Sequence, residues 1–176
     1  MTNMILPRVL SVLGLLILVS ACSKPPQTRE TTAHERMPER ELIVEVRRAG
    51  ADGEDAIEVH ALQDPVVSDL REAAARQERE HSYEAADAIV RQALVLAPGD
   101  PELLQWRAEL ALAMGQLDDA VRLANASWET GPRLGSLCRR NWAAIRLARE
   151  LSGLPEAAAV AAIQAARCTI APPVRM

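Results

Sequence analysis

A single offset constrains this chain more than any other feature. With residues 67–100 set above residues 101–134, Leu70 falls on Leu104, Ala74 on Ala108, Ala86 on Ala120 and Pro98 on Pro132, always 34 residues apart. A repeat of this length is one supersecondary unit that cannot bury its apolar face alone, so neighbouring units must stack into a continuous core. Composition favours helices for the unit. The chain is 49% hydrophobic but only 2% aromatic, with no Phe. Alanine and leucine supply the apolar mass, which suits close helix–helix packing better than a β-sandwich interior.

Helix boundaries are written into each unit. Asp64-Pro65 and Asp100-Pro101 each place a capping acid before a proline at the first helical position. Ser82 can cap a helix beginning at Tyr83, and Gly115 with Asp118 stops and restarts the chain inside the second unit. Leu104, Ala108 and Ala111 recur at i, i+4 and i+7 on its first helix. A third unit follows with wider spacing, since Gly153 matches Gly115 and Ala158 matches Ala120 at an offset of 38. Its first helix, about Leu134 to Leu151, is therefore about one turn longer. Pro155 starts its second helix, and Ala171-Pro172-Pro173 ends the array.

A 34-residue helix–turn–helix with these small and closing residues resembles the tetratricopeptide repeat. The usual helix-A Tyr is replaced by Gln77 and Ala111. The expectation is an all-α, right-handed stack of three helical hairpins over residues 64–170, with a short tail at 171–176. Cys138 and Cys168 stand 15 residues either side of Gly153. In a hairpin turning there they are level, so a disulfide between them is expected.

The first 21 residues read as a secretory signal. Arg8 precedes an uncharged run from Val9 to Val19, about half the roughly 20 residues a membrane-crossing helix needs. Val19-Ser20-Ala21-Cys22 resembles the lipobox of bacterial lipoproteins, which implies acylation of Cys22. With Ser23 rather than Asp next, the resemblance implies an outer-membrane anchor facing the periplasm. Residues 22–40 are polar and hold Pro25, Pro26 and Pro38, so they are expected to form a flexible tether. The β-branched runs Leu42–Val46 and Ile57–Leu62, split by Ala49-Gly50-Ala51-Asp52-Gly53, can pair as a small β-hairpin over residues 41–63.

Charge and motifs narrow the function. With 20 Lys+Arg against 24 Asp+Glu, the net charge is −4, and no basic footprint for nucleic acid is present. His34, His60 and His81 are scattered, and no phosphate loop, nucleophile elbow or spaced Cys/His set appears. No catalytic residue, metal site or cofactor is expected. That leaves binding. In tetratricopeptide stacks the first (A) helices line a concave groove, which maps onto Arg71, Glu72, Gln105, Trp106, Glu109, Arg139, Arg140 and Arg146. Trp106 reads as an interface anchor or as a cover for the neighbouring hairpin, and the arginines as a groove or a solvated face. Trp142 reads as core.

Arg139-Arg140-Asn141-Trp142-Ala143-Ala144-Ile145 in the third unit, on a tethered lipoprotein, resembles the LpoP class of proteobacterial lipoproteins. The resemblance implies a non-catalytic activator of a bifunctional class A penicillin-binding protein. The alternative is a pilotin or assembly scaffold for a pilus or secretin.

Overall fold

Among the described residues, six helices pair as the repeat demands, and a seventh packs against two of them. The computed structural model describes residues 38–51 and 64–169. Its helices are α1 (Glu39–Ala51), α2 (Pro65–Arg79), α3 (Tyr83–Leu96), α4 (Pro101–Ala113), α5 (Leu117–Thr130), α6 (Ser136–Leu151) and α7 (Pro155–Ala166). The hairpins are α2–α3, α4–α5 and α6–α7, and consecutive hairpins meet through α3 on α4 and α5 on α6. This is the all-α stack of three hairpins that the repeat predicted. The signal, Cys22, nearly all of the tether, residues 52–63 and the tail lie outside the described residues.

The caps explain the phasing. Asp64 accepts from the Val66 amide at 2.8 Å and Asp100 from the Leu103 amide at 3.0 Å, each beside a proline at the helix start. Ser82 holds the N-cap position of α3, but its side chain makes no capping bond. Hairpin turns close with two crossed bonds that satisfy the last free carbonyls. In the second unit the Gln116 amide donates to Ala111 O and the Gly115 amide to Leu112 O. In the third, Leu154 donates to Arg149 O and Gly153 to Glu150 O. The first turn has the same pattern, Ser82 to Gln77 O and His81 to Glu78 O. There, however, the left-handed residue is His81, with φ 58°, where the other turns use glycine. His81 Nδ1 lies 2.9 Å from the Tyr83 hydroxyl, a local bond that offsets part of the backbone cost.

Two apolar clusters share α4. Leu103, Leu110 and Ala113 pack with α2 and α3, whereas Ala108, Ala111 and Leu112 pack with α5, α6 and α7. Ala74, Ala86, Ala108 and Ala120 are fully buried, as close helix crossings require. Cys138 and Cys168 are joined as a disulfide with Cα atoms 5.6 Å apart, tying α6 to the end of α7.

The first 14 described residues depart from the sequence reading. Leu42–Val46, expected as a strand, is part of helix α1. The physical reason is a second periodicity within the β-branched run. Leu42, Ile43, Val46, Ala49 and Gly50 fall on one helical face, and all five are buried or half-buried. Pro38 O accepts from the Glu41 and Leu42 amides to start the helix. Glu39 and Glu41 occupy its first turn and Arg48 its last, which suits the helix dipole. The second run, Ile57–Leu62, lies outside the described residues.

Candidate recognition groove

The A helices α2, α4 and α6 present one continuous face, and α1 lies on it. It packs against α4 and α6, and an arginine reaches from it to α2. Leu42, Ile43 and Val46 are at most 5% exposed, so α1 is seated rather than resting on the surface. Fully burying such a side chain is worth at most about 1.5–3 kcal/mol.

Beneath α1 the face is polar. Glu109 is fully buried, yet it accepts from Arg47 Nε at 2.8 Å, from Arg140 Nη2 at 2.6 Å and Nε at 2.9 Å, and from Gln105 Nε2 at 3.2 Å. A carboxylate removed from water needs this much compensation. Arg47 also forms two bonds with Glu78 on α2, at 2.7 and 3.0 Å. Burial acts to lower the Arg47 pKa, but attraction to Glu109 and Glu78 outweighs it and leaves the pKa above the usual arginine value. A base held in this way contributes below its unfolded pKa and is lost only in strong alkali, so Arg47 adds no pH dependence near neutrality.

The C-terminal end of α1 is held differently. Arg139 donates to Ala49 O at 3.1 Å and to Gly50 O, supplying partners for carbonyls that a helix end leaves free. Gly50 lets the end of α1 lie close against Arg140 and Ser136 of α6. A Cβ there would sit 2.7 Å from Arg140 Cγ and 3.1 Å from Ser136 Oγ. Arg146 pairs with Glu45 of α1 at 3.4 Å and with Glu150 at 2.8 Å.

Of the residues expected to line an open groove, Arg71, Gln105, Trp106, Glu109, Arg139, Arg140 and Arg146 gather on the A-helix face, but α1 covers much of it, and Glu72 is exposed on α2. Gln105, Glu109 and Arg139 are buried, which corrects the expectation that they stand open. The reason is that polar side chains read locally as exposed, whereas Arg47 reaches Glu109, Ala49 and Gly50 accept from Arg139, and Gln105 donates to Glu109 and to Arg140 O. Arg71 is partly buried and pairs with Asp100 at 3.1 Å and Glu102 at 3.2 Å. Trp106 is half-buried against the α2–α4 cluster, and its indole donates to Glu78 at 2.6 Å. The part of the face that α1 leaves uncovered is a cavity of about 470 Å³, lined by Arg71, Glu102, Trp106, Ser136 and Arg140, with Arg47, Gly50 and Ala51 from the end of α1. Trp142 packs half-buried on the core and meets Trp128 edge-on, with ring centroids 5.4 Å apart. Sequence reasoning missed Arg47, Gly50 and Glu78. The one available signal was Arg47 directly after a buried-type Val46.

Among the described residues, no cluster of three or more His, Cys, Asp or Glu side chains could hold a metal ion. The tetratricopeptide-repeat model matches residues 79–136. Among solved structures, the globular C-terminal domain of P. aeruginosa LpoP superposes with a TM-score of 0.57 at 27% identity, covering 60% of this chain and 99% of that one. The helical domain is thus similar to tetratricopeptide repeats over residues 79–136, and its architecture is LpoP-like. A search by sequence among curated proteins finds no significant match. The A-helix face of this LpoP-like fold carries Arg71, Glu102, Trp106 and Arg140 around that cavity.

Proposed function

We propose that this protein is an outer-membrane lipoprotein, anchored through Cys22 and facing the periplasm, whose helical-repeat domain binds and activates a bifunctional class A penicillin-binding protein. The similarity to the whole globular domain of LpoP carries the reading. The Arg139-Arg140-Asn141-Trp142 segment, whose two arginines lie on the A-helix face, supports it. None of the described helices is long and apolar enough to cross a membrane, in keeping with attachment by lipid instead.

The mechanism is non-catalytic. The tether lets the domain reach from the outer membrane toward the wall, and the A-helix face grips the synthase. Activation requires only that the domain bind the synthase's active conformation more tightly than its resting one. Purified lipoprotein added to a class A synthase of the same bacterium should accelerate glycan polymerisation and crosslinking. Trp106→Ala should reduce that stimulation while leaving the helical circular-dichroism signal intact. Absence of stimulation with every class A synthase of that bacterium would refute the proposal.

A further inference from the structure

We infer that the A-helix face recognises an amphipathic helix of the protein partner, and that α1 is a resident stand-in for that helix, exchanged out when the partner binds. The inference rests on the reading that this face contacts the partner, and it specifies the ligand's chemistry.

The structure shows what the face accepts. Its occupant is a helix of 13 residues presenting apolar side chains at i, i+1 and i+4 (Leu42, Ile43, Val46), an arginine at i+5 (Arg47) and a glycine at i+8 (Gly50). Each feature has a matching receptor. The apolar residues enter the clusters built on α4, and the arginine meets Glu109 and Glu78. The glycine leaves room for Arg140 and Ser136, and Arg139 donates to the final carbonyls. These are the anchors of helix-in-groove recognition.

Two observations separate an exchangeable ligand from a core helix. First, part of the charge network under α1 survives its departure. Glu109 keeps Arg140 and Gln105 when Arg47 leaves, and Trp106 keeps Glu78, while Arg139 gives up its bonds to Ala49 O and Gly50 O. The seat thus mixes these charges with the apolar contacts of Leu42, Ile43 and Val46, unlike the interior between α4 and α5, where Ala108 and Ala120 are fully buried. Second, α1 has no hairpin partner among the described residues. Residues 52–63 separate it from the stack, and residues 22–38 join it to the lipidation site, so α1 can leave without breaking a repeat.

The test uses the full chain in detergent and a fluorescent synthetic peptide of residues 39–51. The Val46→Asp chain, with its own α1 disfavoured in the groove, should bind the peptide at least about ten-fold more tightly than the unmodified chain while retaining its helical signal. A peptide carrying Arg47→Glu should bind that same chain at least about ten-fold more weakly. A folded Val46→Asp chain that ignores the peptide overturns the inference. If Val46→Asp unfolds the stack, Arg47→Ala, which removes only the clamp, decides: increased peptide uptake upholds the exchange and unchanged uptake refutes it. No synthase enters this assay. Failure to stimulate a synthase with peptide uptake intact would therefore count against the function and not against the groove's ligand.

Discussion

The two sides of α4 are built from different chemistry. Toward α3 and α5 it buries Leu103, Leu110, Ala108 and Leu112 in dry, alanine-spaced contacts. Toward α1 it buries Gln105 and Glu109, held by Arg47 and Arg140. Leu103, Leu110, Gln105 and Glu109 are all fully buried, so burial alone does not distinguish the two sides. The difference lies in what happens on separation. Opening the apolar side leaves a void lined by methyl groups, whereas opening the α1 side gives up the contacts of Leu42, Ile43 and Val46 but leaves Glu109 with Arg140 and Gln105. Stability should therefore reside in the stack, and exchange at the α1 seat.

The largest expected effects fall on the apolar side. Leu110→Ala, at a fully buried position, should cost about 2–5 kcal/mol by chemical denaturation. A smaller loss would show that the stack is as yielding as the seat. Next is the Cys138–Cys168 bond, which closes a separation of 30 residues. Replacing both cysteines with serine should cost about 3–4 kcal/mol in the chain-entropy account. The denatured, unreduced protein should show no alkylatable thiol from this pair.

The repeated turns sharpen the comparison from within the stack. Gly115→Ala forces a side chain into φ 71° and should cost about 1–2 kcal/mol. His81→Gly relieves the equivalent position but loses the bond to Tyr83, so the melting free energy should change by less than about 1 kcal/mol. The smallest effect on global stability belongs to the seat. Arg47→Ala should lower it by less than about 1 kcal/mol, since Glu109 keeps Arg140, yet should speed amide exchange in α1 at least about ten-fold. A loss of several kcal/mol would place α1 in the core.

What the sequence disclosed follows the same division. The stack was legible because its signals are local and repeated: Asp-Pro starts, glycine turns, alanines 34 residues apart and two cysteines symmetric about Gly153. The seat was not. Leu42-Ile43-Val44-Glu45-Val46 satisfies a strand's composition and a helix's spacing alike, and only contact with α4 and α6 selects the helix. Gln105 and Glu109 read as an open polar face because the residue that covers them, Arg47, lies more than 50 positions upstream. His81 gave no warning of a left-handed turn, because glycine marks the equivalent position in the other two units. Long-range pairing of polar groups leaves no periodic trace, whereas apolar stacking does.

Hydrogen exchange on the unmodified chain tests the central claim most directly. If the A-helix face is a recognition surface with an exchangeable occupant, the amides of α1 should exchange through a local opening, at least about a hundred-fold faster than those of α4 and α6, with no matching change in the stack. If α1 exchanges at the same rate as α4, and both follow global unfolding, the helix is a fixed part of the domain and the account is contradicted.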